Sequence, residues 1–265
     1  MALEFLQRAD APFGSTTWAR IDETVVAAAR AQMAARRLLD VEGPYGLGLK
    51  VLTDTDLEQA GGVGLSATIP VPTLRESFAI PMRDIANFEQ TGIPFPLAPV
   101  AQAAVAAARR EDELIFHGLP DLGIHGLLTV PGTAHAPLKP WLEPGAAFED
   151  VLAAVNTLDA AGLHGPYALA LAPTRYNQLF RVYPGSQQTE FQQLQLLVTG
   201  GIVKAPVLRD GGVLVAAGPQ FLSIVIGQDL ATGFVGPAGD AYEFMLMESL
   251  VLRAARPEAI CTIAA

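Results

Sequence analysis

The sequence predicts a mixed α+β protein divided between two domains, and three observations predict it. Ile21, Val25, Ala29 and Met33 recur at steps of four, the apolar stripe of a long N-terminal helix. An alanine-rich run from Leu97 to His117 marks a second long helix. From residue 202 onward, short apolar segments separated by glycine turns mark strands.

Taken in order, residues 17–39 read as one helix, with Thr16 or Thr17 at its N-cap and Arg36 and Arg37 in its last turns, where positive charge suits the helix dipole. It should stop before Gly43-Pro44, since a residue preceding proline avoids the α region. Residues 47–68 cannot build a core of their own. Gly48, Gly61, Gly62 and Gly64 flank Lys50-Val51-Leu52-Thr53, and Asp54 to Glu58 is acidic. This segment reads as an extended hairpin arm supported by a neighbouring subunit. Val71 to Ile80 follows as a strand, with Leu74, Phe78 and Ile80 at even spacing.

The helix over 97–117 should end at Gly118, with Pro120 close behind. A shorter helix is expected over 148–163, then a buried strand over 166–172. Two further helices, 174–181 and 188–198, flank a Tyr183-Pro184-Gly185 turn. Strands are expected near 202–208, 212–217 and 221–226, then a β-rich stretch from Tyr242 to Ala254 and a last strand over 258–263. There is no internal repeat and no low-complexity linker.

Composition narrows the function. Of 265 residues, 51% are hydrophobic, and the mean hydropathy is +0.32. So apolar a chain with no evident membrane segment is expected to cover much of that surface with neighbours. No apolar stretch approaches the ~18 uninterrupted residues of a spanning helix. Met1 to Phe5 lacks the basic start of a secretory signal, so a cytoplasmic location is expected. The formal charge is −10, and the lysines are Lys50, Lys139 and Lys204. That leaves no basic stripe for phosphates and argues against nucleic acid. One cysteine, Cys261, in an apolar run, reads as buried and structural rather than reactive.

Candidate chemistry is thin. His117, His125, His135 and His164 lack metal-ligand spacing and read as structural or solvated. No GxSxG elbow is present, so an acyl-transfer site has no support. Gly61-Gly62-Val63-Gly64 lacks the lysine of a phosphate loop. Asp229 and Glu248 sit in apolar surroundings. A catalytic pair is one reading; capping a turn and pairing with an arginine such as Arg36 or Arg75 is the favoured one.

One ordered set of pieces spans most of the chain. It comprises Val41-Glu42-Gly43-Pro44-Tyr45-Gly46, Ile69-Pro70, Leu74-Arg75, Phe78, the run Glu111 to Phe116, Gly165-Pro166-Tyr167 and Ile226-Gly227-Gln228-Asp229-Leu230. No piece is specific alone. In order and spacing, the set resembles the shell protein of encapsulins (family 1, linocin-like), bacterial nanocompartments with a phage-capsid (HK97-like) fold. The resemblance implies a container rather than an enzyme. It implies a closed icosahedral shell of about sixty copies. Within each copy it implies a peripheral domain (1–46, 76–134 and 225–265), an extension loop (47–75) and an axial domain (135–224).

The resemblance also implies partners. Family members enclose cargo such as ferritin-like proteins or dye-decolorising peroxidases, which dock on the inner wall through a targeting peptide. Carried over position by position, the peptide groove comprises Ala29, Arg36, Asp40, Asp229, Leu230 and Thr232. Family members often carry an aromatic residue where Ala29 stands and an aliphatic one where Thr232 stands, which implies a shallower groove or one tuned to a different peptide. A five-fold pore is implied at Tyr183, Pro184, Gly185, Ser186, Gln187, Gln188 and Thr189, a polar, uncharged lining with little charge selection. Some members stack a flavin on a tryptophan after the 74–78 strand. Here that place, near Arg83, holds no aromatic ring, so no cofactor is expected. The competing readings are a phage or prophage major capsid protein and, further off, a hydrolase or bacteriocin-like protein. The start of the chain almost directly at the first helix, without a scaffold segment, favours the nanocompartment.

Overall fold

A computed structural model describes residues 4–58, 64–185 and 187–264. The Gly61-Gly62-Val63 part of the glycine cluster, the side chains of Asp54 to Glu58, and Ser186 lie outside what it describes. In chain order the elements are α1 (Ser15–Gln32), α2 (Ala35–Leu38), β1 (Asp40–Glu42), β2 (Val51–Glu58), β3 (Gly64–Pro70), β4 (Thr73–Pro81), α3 (Met82–Thr91) and α4 (Ala98–His117). There follow β5 (Gly118–Leu119), β6 (Ile124–His125), β7 (Ala134–Pro137), α5 (Ala146–Ala160), β8 (Tyr167–Leu171), α6 (Pro173–Gln178) and α7 (Glu190–Leu197). The chain ends with β9 (Ile202–Lys204), β10 (Gly212–Ala216), β11 (Leu222–Ala238), β12 (Ala241–Ala254) and β13 (Ile260–Ala264).

These elements form two compact units. The first comprises Met1–Met33, Gly43–Glu111 and Ile226–Val251; the second comprises Ala34–Glu42, Asp112–Val225 and Leu252–Ala265. Residues 112–134 and 252–265 belong to the second unit, because β13 is a member of its sheet, antiparallel to β10 and parallel to β7.

In the first unit, β12 pairs antiparallel with β4 from Ala241↔Pro81 to Ser249↔Thr73. Alternation along these strands sends Phe78, Ile80, Phe244 and Leu246 to one face. The stripe Trp18, Ile21, Val25, Ala29 and Met33 of α1 packs there, with Val100, Ala103, Ala104, Ala107 and Ala108 of α4. Alanines dominate α4 because their small side chains let helix and sheet backbones approach closely. Phe13 lies at the centre of an aromatic cluster. Its ring is 5.4–5.9 Å from those of Trp18, Phe234, Tyr242 and Phe244, the separation range that favours tilted and edge contacts. Glu89 on α3 caps the start of α1, accepting from the Gly14 amide at 3.2 Å and from the Thr17 hydroxyl.

In the second unit, β7, β13, β10, β8 and β9 form a five-stranded sheet in that order. Strands β8 and β10 are buried along their whole length, which explains why they read as unbroken apolar runs. Helix α5 covers this sheet through Ala147, Val151, Ala154, Val155 and Leu158, all buried.

Two expected boundaries change, and one helix was not expected. The helix expected over 17–39 is interrupted: Met33 leaves the helical region at ψ 103°, and α2 restarts at Ala35. Helix α3 follows the strand directly, with no loop between, and ends at Gly92 in the left-handed region. Strand β11 continues to Ala238, well past the expected end near 226. The glycine-rich arm is a hairpin, β2 against β3, and the two form a sheet of their own.

Candidate functional site

The expected groove residues fall in both units. Ala29 lies on the core face of α1 and is 2% exposed. Thr232, 1% exposed, shares the core-facing side of β11 with Leu230 and Phe234, since residues two apart along a strand point the same way. Leu230 is half-buried against the same core. Asp229 points to the other face of β11, is exposed, and accepts the Leu230 amide at 2.9 Å. Consecutive strand residues cannot both line one face, so Asp229 and Leu230 present different surfaces. Ala29 and Thr232 are both buried and present no open side chain.

Arg36 and Asp40 belong to the second unit. Arg36 sits half-buried in α2, and Asp40 opens β1, exposed, opposite Ser223 of β11 in parallel register. Asp112, not singled out as a site residue, positions this region. Its carboxylate, 2% exposed, accepts from the amides of Ala34 (3.0 and 2.9 Å) and Ala35 (2.9 Å) at the start of α2. A carboxylate there satisfies orphan amides and suits the helix dipole.

The expected pore loop is built in the second unit. Its base is closed by the Val182↔Thr189 bridge and by the Tyr183 amide donating to the Gln188 carbonyl at 3.1 Å. Pro184 and Gly185 make the turn, Gly185 at φ 76°, and Gln187 and Gln188 are exposed. Thr189 caps α7 in a reciprocal box with Gln192. Glu190, the next residue, is fully buried. Its Oε1 accepts from the amides of Gly145 (2.8 Å), Ala147 (2.9 Å) and Phe148 (3.2 Å), and Arg181 lies 3.5 Å from Oε2. Both ends of the loop are thereby tied to the start of α5. Burial, and then the Glu190 carboxylate, push the Tyr183 hydroxyl above its ordinary value, so it stays protonated. A cavity of about 300 Å³ beside the loop is lined by Phe148, Tyr183, Gln188 and Gln193.

Three of the four histidines make side-chain contacts, and His125 is exposed. His117 Nε2 is 3.1 Å from the Val207 carbonyl and His135 Nδ1 3.2 Å from the Thr262 hydroxyl. His164 Nδ1 is 3.0 Å from Asp159, whose carboxyl is held below its usual range first by the Tyr167 hydroxyl and then by His164. Among the described residues no three His, Cys, Asp or Glu side chains converge as a metal site. Cys261 is buried, and burial pushes its thiol up to about 11, which disfavours the reactive thiolate. No helix among the described residues is long and apolar enough to cross a membrane.

A self-paired arm, a long paired hairpin and a sheet covered by helices define a class of fold seen in capsid-type shells. The chain is similar to a virus-like particle protein from Pyrococcus furiosus, with TM-score 0.77, 21% identity, and coverage of 93% of this chain and 99% of that one. It is also similar to the capsid of Myoviridae phage XM1, with TM-score 0.63, 15% identity, and coverage of 85% and 88%. The family described as encapsulating protein for peroxidase (Linocin_M18) matches residues 3–251. The type 1 encapsulin shell protein EncA of Myxococcus xanthus is 32% identical over 98% of this chain and 96% of its own. A diheme-cytochrome-encapsulin shell fusion protein of Kuenenia stuttgartiensis is 30% identical over 93% of this chain and 72% of its own. This chain belongs to the encapsulin shell family; it is a structural protein, not an enzyme.

Proposed function

We propose that the chain assembles with about sixty copies of itself into a closed icosahedral shell, and that the shell encloses a cargo enzyme in the cytoplasm. The family match over residues 3–251 carries this reading. The self-paired arm supports it. A two-stranded ribbon is marginal alone, and its unpaired edges suit a neighbouring copy. In this reading the first unit holds most of the peripheral domain and the second most of the axial domain.

Cargo enters by a targeting peptide. Ferritin-like and cytochrome fusions among the relatives point to redox or iron-handling cargo. The peptide's apolar residues dock beside Leu230, over a floor set by Ala29 and Thr232, and its polar groups meet Asp229 at the strand edge. Arg36 and Asp40 hold the peptide backbone or its polar groups. The loop from Tyr183 to Thr189 lines a five-fold pore that passes small solutes with little charge selection. The test is mass spectrometry of proteins that co-purify with the shell. One enzyme should dominate in the wild type and fall severalfold with Asp229→Lys, while the shell persists. An unchanged cargo load in Asp229→Lys shells contradicts the groove.

A further inference from the structure

The second unit carries two apolar flanks that differ in form and in charge. Its sheet runs β7, β13, β10, β8, β9, so β7 and β9 are the edges. Helix α5 packs over β7 and β13, whereas α6 packs against β9. Helix α7 turns one side to each. Phe191 stacks on Phe180, just beyond α6, with ring centroids 5.2 Å apart. Gln193 lies about 200° further round the helix and lines the cavity beside Phe148 of α5.

The flank at β9 presents an aromatic stack. Tyr176 adds its ring 5.7 Å from Phe180 and 5.8 Å from Phe191. Phe180 nevertheless stays 52% exposed. Lys204, on the edge strand itself, holds its ammonium 5.0 Å over the Tyr176 ring and has no carboxylate partner among the described residues. The flank at α5 presents the cavity of about 300 Å³, open to solvent and large enough for a phenyl ring, between Phe148, Tyr183, Gln188 and Gln193. Leu152, one turn along α5 from Phe148, is 37% exposed and extends its apolar rim. The chain before α5 runs beside this cavity, since a Cβ at Gly145 would lie 3.6 Å from the Tyr183 ring. Glu143 on that stretch is exposed and has no cationic partner among the described residues.

We infer that these flanks are the two sides of one head-to-tail contact between copies of this chain: Phe180 of one copy enters the cavity between Phe148 and Tyr183 of the next, and Lys204 meets that copy's Glu143. A second copy is the occupant because one unit carries both halves, ring and cavity, cation and anion, at opposite edges of its sheet. Unlike patches of this kind close a ring, whereas a two-fold contact needs a patch that complements itself. Tyr183 and Gln188 also belong to the loop proposed to line the pore, so the neighbour's ring completes the wall behind that loop. The inference rests on the reading of the chain as a shell protein and names the surfaces that meet.

The test uses full-length chains carrying Phe180→Cys or Gln193→Cys, assembled singly and after co-expression, then treated with a short bis-maleimide linker and run as denatured protein. The native Cys261 is buried and contributes little background. Cross-linked dimers should be severalfold more abundant in the mixed shells than in either single-variant shell. Mixed shells without dimers overturn the inference, as do single-variant shells that link equally well. The charge pair gives a second reading that serves if the cysteine variants fail to assemble. Lys204→Glu or Glu143→Lys alone should lower the yield of closed shells severalfold, and the double variant should recover it. A double variant no better than the single ones overturns the inference. Each of these outcomes leaves the container reading standing; a wild type that forms no shells fails that reading instead.

Discussion

Asp112 shows how one buried carboxylate directs a chain. It receives three hydrogen bonds from the amides of Ala34 and Ala35, where the N-terminal helical stretch restarts as α2. Asp112→Ala leaves those amides without their acceptor in a buried place, and the expected loss is about 3 kcal/mol. Asp112→Asn keeps an acceptor oxygen and should lose roughly half of that. Urea midpoints of the two variants check both figures, and equal midpoints for wild type and Asp112→Ala would refute the capping role. The run Glu111 to Phe116 was visible in sequence, but the role of Asp112 was not. Its partners lie 77 and 78 positions away, and no local pattern reports that distance. The glycine of Val41-Glu42-Gly43-Pro44-Tyr45-Gly46 is similar. Gly43 stands at φ +108°, and a Cβ there would meet the Ile226 carbonyl oxygen at 2.4 Å. The motif is therefore a backbone contact, not a chemical site.

At the scale of elements, periodicity was a good guide where one face is buried. The stripe of α1, the alanines of α4 and the unbroken apolar runs of β8 and β10 were all legible for that reason. It failed where a residue's purpose was not local. The strand expected over 221–226 stops short of Gly227-Gln228-Asp229, yet β11 passes through these residues. Gly227 is there for close approach, since a Cβ would lie 2.6 Å from the Ser249 hydroxyl and 3.2 Å from the Gly46 carbonyl. The capping box Thr189-x-x-Gln192 was available in sequence as a helix start. Glu190 beside it was not, because its acceptor role depends on amides at 145–148. Glu190→Ala should raise amide exchange in the first turn of α5 and in the loop from Tyr183 to Gln188 more than tenfold, at a cost of about 3 kcal/mol. Glu190→Gln, which retains one acceptor oxygen, should raise it much less. Exchange confined to the loop, with α5 unchanged, would contradict the anchoring described for Glu190.

For the whole molecule, composition anticipated a chain that hides apolar surface against its neighbours. Folding leaves Val26, Tyr45, Phe180, Val182 and Leu196 more than half or about half exposed, and these are surfaces a neighbouring copy can cover. The family, read from scattered pieces in order, was legible because those pieces are backbone devices that the fold requires. The residues expected to form a peptide groove were less so. They lie in both units, Ala29 and Thr232 are buried, and Asp229 and Leu230 face opposite ways. The most direct measurement is negative-stain electron microscopy of the purified protein alone, across several salt and pH conditions. Uniform closed shells are the predicted result. Monomers or small oligomers under every condition would contradict the container account.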